Sequence, residues 1–270
     1  MPELPEVETT RRGLAPGLLG RRIESVTLRR PDLRWPIPAE VTRLLPGQRI
    51  LDLRRRAKYL LLDTEPGSAL LHLRMPGQLR IVAPEVPVGP HDHVDLALDS
   101  GQVLRFTDPR RFGCLLWQAP GETHHLLRDL GPEPLSTEFT AGYLHGRSRG
   151  RGASVKTFLM DQGTVVGVGN IYAAEALFQA GIRPGRAAGQ VALARYERLV
   201  DAVRAVLAQA IEAGGTTLRD FIHPDGRPGY FQQDLLVYGR AGLPCRRCGR
   251  PLKGGRLGQR ATVWCGHCQA

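Results

Sequence analysis

Long apolar runs are absent from the sequence. No stretch approaches the roughly eighteen apolar residues that a membrane-spanning helix needs, and Glu3, Glu6 and Glu8 stand where a secretion signal would carry positive charge. We therefore expect a cytoplasmic protein without membrane contact. Cysteine is also scarce: five in 270 residues exclude a small secreted domain held together by disulfides.

Lysine and, late in the chain, acidic residues are rare. Of 37 basic residues only Lys58, Lys156 and Lys253 are lysines, and the net charge is +11. Because the pKa of lysine shifts readily whereas arginine keeps its proton, the lysines are candidates for roles that arginine cannot fill. No acidic residue follows Asp234, and seven cations do. This one-sided charge favours a polyanionic partner such as nucleic acid; general solubility is the alternative explanation.

Short strands dominate the pattern from about Arg22 to Trp117. Segments rich in Leu, Val and Ile are separated by turn signals such as Pro-Gly at 46–47 and 66–67. Strands at this spacing predict an antiparallel sandwich or barrel. Ahead of them, Pro5 fits the first position of a helix that runs to about Leu19, with acidic residues near its positive end.

The pattern changes to a helical period from about Pro132. Helices are predicted within 154–162, 170–182 and 192–215, the last with a clear apolar stripe. The Gly-, Ser- and Arg-rich stretch 146–154 predicts a hinge or an exposed loop. We expect a β domain at 1–131, a helical domain at 132–234 and a cysteine module at 235–270.

Four cysteines form two closely spaced pairs, Cys245 with Cys248 and Cys265 with Cys268. Two such pairs predict one structural Zn²⁺ bound by four thiolates. Two disulfides are the alternative, which is disfavoured in a chain without an export signal. A closed four-thiolate site leaves no position for a reactive water, so it holds structure and does no chemistry. The hairpin between the pairs carries Arg260 near its turn and suits contact with DNA or RNA.

Motifs along the whole chain resemble one family. They include PELPEVET at the start, RRRAKYLLL around residue 58, HLRMPGQLR around residue 75, DPRRFG at 108–113, VVGVGNIYAAEALF at 165–178 and GGTTLRDF at 214–221. Together with the cysteine module they resemble the bacterial formamidopyrimidine-DNA glycosylases, which repair 8-oxoguanine. The resemblance implies an α+β multidomain fold: an N-terminal antiparallel β-sandwich with an N-terminal helix, a helix–two-turn–helix domain and a zinc-finger β-hairpin.

The resemblance implies a catalytic role for four residues. After removal of Met1, the amine of Pro2 would attack C1′ of the damaged nucleotide; a terminal amine with a pKa of about 8 is partly neutral at physiological pH. Glu3 matches the general acid and base. Lys58 matches a residue assigned as a proton donor in strand cleavage, and Arg260 matches the residue assigned to the later elimination step. We interpret Arg260 as a phosphate clamp that stabilises the leaving group, because arginine is a poor proton donor.

The resemblance also implies a set of DNA contacts. Met75, Arg110 and Phe112 match the residues that fill the gap left by a flipped nucleotide. Glu6 matches an acidic contact near the lesion, or alternatively only stabilises the helix start. Positions matching phosphate contacts are His91, Arg151, Lys156 and Asn170, and Asn170 is also a candidate N-cap. The segment 216–231 resembles a loop that closes over the flipped base.

Two other functions compete with this hypothesis. The sister branch, endonuclease VIII, removes oxidised pyrimidines; PELPEVE and DPRRFG favour the purine branch. A non-catalytic zinc protein that binds DNA belongs to a different class, and the Pro2–Glu3 start and Lys58 argue against it. We expect a monomer that acts on double-stranded DNA containing an oxidised purine.

Overall fold

The computed structural model describes residues 2–74, 77–215 and 235–270, and these form two compact units. The first unit contains the residues up to Arg128, joined by Gly214 and Gly215. The second contains Asp129–Ala213 and the residues from Leu235 to Ala270. The domain limits at 131 and 234 stay predictions. No helix in the described part of the chain is long and apolar enough to cross a membrane.

The first unit opens with helix α1, Leu4–Leu18. Its N-cap is Glu3 and its first residue is Leu4. Pro5 is therefore the second helical residue, whereas the sequence predicted that it would be the first. The Glu6 carboxylate accepts a hydrogen bond from the Glu3 N–H at 2.8 Å, which satisfies a donor that the helix itself leaves open. A short helix, α2 (Ala39–Leu44), follows strand β1.

Two four-stranded antiparallel sheets form the body of this unit, which confirms the predicted sandwich. One sheet has the order β1-β6-β7-β5 and the other β2-β3-β4-β8. The strands are β1 (Ile23–Leu28), β2 (Asp52–Arg56), β3 (Tyr59–Thr64), β4 (Gly67–His72), β5 (Gln78–Val82), β6 (Asp92–Leu98), β7 (Val103–Thr107) and β8 (Cys114–Gln118).

A single apolar core joins α1 to both sheets. Val7 and Leu14 of α1 are 1% exposed, and they belong to the same cluster as Leu60 and Leu71 of one sheet and Phe106 of the other. In the second half of β1, Ser25 and Thr27 are exposed whereas Val26 and Leu28 are half-buried and pack against this core, as in a sheet with one face on the core. The core therefore fixes α1, and with it the start of the chain, against the sandwich.

The second unit is helical. Its helices are α4 (Ala141–Ser148), α5 (Val155–Met160), α6 (Asn170–Gln179) and α7 (Leu193–Glu212); α3 (His125–Arg128) ends the first unit. The apolar stripe predicted for α7 is buried. Helices α2, α3 and α4 were not predicted from the sequence. Helix α4 extends to Ser148 and so includes the first residues of the stretch 146–154, for which the sequence predicts a hinge or an exposed loop. Thr140 caps α4 by accepting a hydrogen bond from the Tyr143 N–H.

The last part of this unit is a two-stranded hairpin, β9 (Lys253–Leu257) and β10 (Arg260–Trp264). It packs on α6 through an apolar cluster that includes Phe178, Val237, Leu252 and Val263 together with Cys245 and Cys265. The cysteine pairs flank the hairpin and lie at its base.

Candidate functional site

The start of the chain is buried. Pro2 is buried, and Glu3 and Glu6 are 3% and 0% exposed. Both carboxylates are held at the first turn of α1 in a capping-box arrangement. The first turn of a helix also carries partial positive charge, which favours carboxylates there. Gly215 approaches Glu6 closely: a Cβ built on this glycine would lie 3.3 Å from the Glu6 Cγ.

Lys58 lies in the two-residue turn between β2 and β3, and its side chain is 7% exposed. The turn is tied to α1 by Arg55. The Arg55 Nε donates to the Glu8 carboxylate at 3.0 Å, and its guanidinium also donates to the Ala57 carbonyl at 3.0 Å. The helix that begins beside Pro2 and the turn that carries Lys58 are thus joined within one unit.

Glu8 is the centre of an arginine cluster that the sequence reasoning did not assign. It accepts hydrogen bonds from Arg11, Arg12 and Arg55. Burial raises the pKa of Glu8, but these three hydrogen bonds more than offset burial and lower the pKa to about 2. The carboxylate therefore stays charged throughout the neutral range.

His72 ends strand β4 and is held neutral. Burial, and then the charges of Arg74, Lys58 and Arg34, lower the pKa of His72 to about 3. Its Nδ1 accepts a hydrogen bond from the Arg74 N–H at 3.1 Å, and its ring packs edge-on against Tyr59. A neutral imidazole adds no further positive charge to this part of the sandwich, where Lys58 already lies.

The loop 108–113 presents Arg110 and Phe112 to solvent. Phe112 is 48% exposed, and the Arg110 guanidinium lies 4.5 Å from the centre of its ring. The carboxylate of the fully buried Asp108 accepts hydrogen bonds from the backbone N–H groups of Arg110, Arg111 and Gly113. Sequence reasoning missed Asp108, although Asp followed by Pro is a common turn start. His91 is exposed, and its carbonyl accepts from the Asp108 N–H.

Lys156 takes an unexpected position in the second unit. It is fully buried, and its ammonium donates to the Ala261 carbonyl at 2.9 Å and to the Thr262 hydroxyl at 2.8 Å. Both acceptors belong to β10, so Lys156 joins α5 to the strand that begins with Arg260. The Arg260 side chain itself is exposed. A contact between Lys156 and DNA stays a prediction.

Asn170 is the first residue of α6, and the N-cap is Gly169, which corrects the predicted capping role of Asn170. Its Oδ1 is buried and has no hydrogen-bond partner among the described residues. Such an atom is a place for an incoming polar group, because a buried amide left without partners is costly. Arg151 is exposed, with its guanidinium 5.7 Å from the centre of the Phe158 ring.

The four cysteines fit a single metal ion. Their sulfur atoms all lie within 4.8 Å of one another. The Cys245–Cys268 and Cys248–Cys265 sulfur distances are 4.0 and 3.5 Å, close to the ~3.8 Å that tetrahedral Zn–S bonds of about 2.3 Å require. Four thiolates and no oxygen ligand select zinc over hard cations.

Glu175, on α6, fastens the segment that leads into the cysteine module. Its carboxylate is 2% exposed and accepts hydrogen bonds from the backbone N–H groups of Leu236, Val237 and Tyr238 at 2.8–2.9 Å. A charged residue inside the apolar helix sequence was the available signal for this role, and sequence reasoning did not use it.

The structure places the proposed site residues in both units. Pro2, Glu3, Glu6, Lys58, His91, Arg110 and Phe112 belong to the first, and Arg151, Lys156, Asn170 and Arg260 belong to the second. Met75 and the segment 216–231 lie outside the described residues.

Comparison with known proteins gives the same order of parts. The model of the formamidopyrimidine-DNA glycosylase N-terminal domain matches residues 1–115, the H2TH domain of the same enzymes matches 130–222, and a zinc finger found in FPG and IleRS matches 242–270. This chain belongs to the formamidopyrimidine-DNA glycosylase family. The zinc-finger match and the sulfur geometry together assign one structural zinc to the four cysteines.

Relatives of this family match over the whole chain. The formamidopyrimidine-DNA glycosylases of Stenotrophomonas maltophilia strain K279a and Xanthomonas euvesicatoria are 68% and 66% identical and are covered completely in both directions. The crystal structure of the Thermus thermophilus MutM (Fpg) protein matches with a TM-score of 0.89 at 43% identity, covering 99% of this chain and 98% of that one.

A second solved relative is a DNA complex. The wild-type Lactococcus lactis Fpg, bound to DNA that contains N7-benzyl-Fapy-dG, matches with a TM-score of 0.91 at 31% identity over 99% of both chains. The formamidopyrimidine-DNA glycosylase fold of this chain is therefore shared with a relative whose structure contains lesion-bearing DNA.

Proposed function

We propose that this chain is a bifunctional DNA glycosylase and abasic-site lyase of base excision repair. It removes oxidised purines, 8-oxoguanine and formamidopyrimidines, from double-stranded DNA and acts as a monomer. The observation that carries the proposal is the buried Pro2–Glu3 pair at the N-terminus of α1. Family membership and the lesion-containing DNA bound by the Lactococcus relative support the choice of substrate.

The chemistry would begin at the amine of Pro2 once Met1 is removed. The amine attacks C1′ of the flipped nucleotide, a C–N bond forms, and the bond from C1′ to the base breaks. Glu3 supplies a proton to the opening sugar, and the resulting iminium is a Schiff base. Its formation makes the C2′ proton acidic, and two successive eliminations then release the 3′ and 5′ phosphates. Water hydrolyses the last iminium and frees the enzyme.

The remaining residues would serve binding and the eliminations. Lys58 would donate a proton in strand cleavage, because its buried position favours an exchangeable proton over a solvated charge. Arg260, exposed on the hairpin, would stabilise the leaving phosphate. Zinc, bound by the four cysteines, holds the hairpin and takes no part in the reaction.

Three residues would open the duplex. Phe112 would wedge between bases, Met75 would fill the gap, and Arg110 would pair with the cytosine left behind. Glu6 would contact the lesion, and His91, Arg151, Lys156 and Asn170 would contact phosphates. Among these, Asn170 offers a buried polar atom without a partner in the described structure.

Borohydride trapping on a duplex containing 8-oxoguanine tests the nucleophile. We expect a covalent adduct with the native protein and none when an N-terminal extension blocks Pro2. The matched control is the same extended protein after proteolysis that again leaves Pro2 first, which should restore trapping. Equal trapping by the extended protein would rule out Pro2.

Comparison of two lesions tests the substrate. The native protein should release 8-oxoguanine opposite cytosine faster than thymine glycol in a matched duplex. Faster release of thymine glycol would instead assign the chain to the pyrimidine branch.

A further inference from the structure

Four non-glycine residues of the described chain have a positive backbone φ: Ala57 (55°), Arg74 (48°), Arg111 (54°) and Gln259 (62°). Residues with side chains rarely adopt this left-handed conformation. Each of the four directly precedes a residue that the proposed function places at the DNA, namely Lys58, Met75, Phe112 and Arg260. Elsewhere in the described chain, positive φ is confined to glycine.

We propose that three of these residues, Ala57, Arg111 and Gln259, are positioning residues, whose backbone turn aims the next side chain at the DNA; the residue after Arg74 lies outside the described residues. The inference rests on the proposed function, which supplies the roles of the residues that are aimed. Strained backbone that recurs at the same place in three loops indicates a requirement of the site, because each instance costs stability that a glycine would return. The conformation matters here, and the side chain of the left-handed residue does not.

The hairpin that carries Arg260 shows this most directly. Leu257 pairs with Arg260, so Gly258 and Gln259 form a two-residue turn, and both have positive φ as a type I′ turn requires. Gly258 has a second reason to be glycine, since an added Cβ would lie 2.7 Å from the Thr157 Cγ2. Gln259 is exposed, so packing does not determine which residue stands there.

The strand beyond this turn is fixed independently. Lys156 holds the Ala261 carbonyl and the Thr262 hydroxyl, and Thr262 is buried. With β10 fastened one residue after Arg260, the direction of the Arg260 side chain depends on the turn before it. A different turn at 258–259 would leave β10 in place and move Arg260.

The loop 108–113 is built in a similar way. Arg111 lies between Arg110 and Phe112, and Asp108 holds its N–H at 3.0 Å. No Cβ fits at Gly113, where it would lie 2.8 Å from the His72 carbonyl. With both ends of the loop fixed, the left-handed Arg111 turns the chain so that Phe112 stands in solvent with Arg110 over its ring. Arg111 itself is exposed, like Gln259.

The test replaces Gln259 by residues that differ in their tolerance of positive φ. Gln259→Gly and Gln259→Asn accept the turn, whereas the β-branched Gln259→Val resists it. We expect Gly and Asn variants to make the native doubly eliminated product. The Val variant should form the borohydride adduct normally but complete the second elimination roughly five- to tenfold more slowly. Ala261→Val, at an exposed strand position two residues on, is the control for a β-branched residue and should behave as native.

Three measurements, namely borohydride trapping, the second elimination and the thermal midpoint, distinguish a misdirected Arg260 side chain from a folding defect. A merely structural role would lower trapping, elimination and thermal midpoint together, whereas misdirection of Arg260 lowers only the elimination. If Gly and Asn variants lose the second elimination as Val does, the glutamine side chain is what matters and the proposal is wrong. If the Val variant does not fold, the Gly and Asn variants still decide it.

Arg111 provides an independent arm. Arg111→Val should slow two reactions to different degrees: excision of 8-oxoguanine, and strand cleavage at a preformed abasic site, where no base must be displaced. The slowing of excision should be roughly five times the slowing of strand cleavage. Arg111→Gly should retain both activities, and Gln102→Val, at an exposed position of the same unit, is the control. Equal behaviour of Arg111→Val and the control contradicts the proposal. Failure of the native protein to trap would instead overturn the proposed function.

Discussion

At the scale of single residues, this fold buries ionisable groups and fixes their charge through their neighbours. His72 and Glu8 are both buried in the first unit, yet one is held neutral and the other charged. Burial favours the neutral form of both groups. At Glu8 the hydrogen bonds from three arginines outweigh burial, whereas at His72 the charges of Arg74, Lys58 and Arg34 add to it. Each assignment gives a pH dependence of its own.

His72 should make the protein less stable as the pH falls. Its pKa is about 3 in the fold and 6.5 in the unfolded chain, so its contribution is complete above pH 6.5 and is lost towards pH 3. Below pH 6.5 the loss approaches about 1.4 kcal/mol per pH unit. The free energy of unfolding, measured by urea denaturation at several pH values between 7 and 4.5, should fall less steeply with decreasing pH in His72→Gln than in the native protein. An identical slope would contradict a neutral, buried His72.

Glu8 should act in a lower pH range. Its pKa is about 2 in the fold against 4.5 for the ordinary group, so its contribution is present above pH 4.5 and is lost as the pH falls towards 2. The shift corresponds to roughly 3 kcal/mol at most. We expect Glu8→Gln to be destabilised at pH 7 and its deficit to shrink between pH 4.5 and pH 3. A deficit that does not vary with pH would mean that packing, not charge, is lost.

At the scale of elements, the chain uses long side chains to fasten one element to another. Arg55 ties α1 to the Lys58 turn across 47 residues of sequence, and Lys156 ties α5 to β10 across 105. Both bonds are made to groups near proposed catalytic residues. These contacts fix orientation as well as stability.

Lys156→Met should loosen the hairpin without unfolding the helical core. Methionine fills a similar volume, but it leaves the Ala261 carbonyl and the Thr262 hydroxyl without this donor, a loss of about 1–3 kcal/mol. We expect weaker binding to a duplex that contains an abasic-site analogue, with near-native helix content by circular dichroism. Lys253→Met, on the exposed face of the same hairpin, controls for the loss of one cation. Equal loss of affinity in both variants would indicate a general charge effect.

At the scale of the whole molecule, the sequence predicted the helices and strands far better than the side-chain hydrogen bonds that join one element to another. Strand β1 matched its segment from end to end, and α7 followed its apolar stripe. Periodicity sufficed there because one face of each element meets the core. Short α2 and α3 have too few turns to show a period, and α4 ends in residues typical of loops.

The candidate site divides in the same manner. Cysteine spacing predicted the metal ligands. The motifs indicated Pro2, Glu3 and Lys58 through resemblance, and the catalytic roles of these residues stay predictions. Asp108, Glu8 and Glu175 were missed because their roles depend on partners brought close only by folding. The left-handed turns were missed for another reason: none of the four residues involved is a glycine, asparagine or aspartate, the residue types that indicate this conformation in a sequence.

Zinc removal tests how the second unit is held together. Chelation, or Cys245→Ser, should abolish binding to lesion-containing DNA, because the hairpin loses the four bonds at its base. The sandwich of the first unit has its own core and should keep its cooperative melting transition. Retained affinity after complete zinc loss would show that the hairpin is dispensable for binding.

The three hydrogen bonds accepted by the Glu175 carboxylate have a consequence for the order in which parts of the second unit unfold. The amides of Leu236, Val237 and Tyr238 are bonded to a side chain of α6 and not to a neighbouring strand. Their exchange with deuterium should thus follow the opening of α6 and remain slow when the metal is stripped. In a hydrogen-exchange experiment on the zinc-free protein, these three amides would then exchange slowly while the amides of the neighbouring hairpin exchange fast.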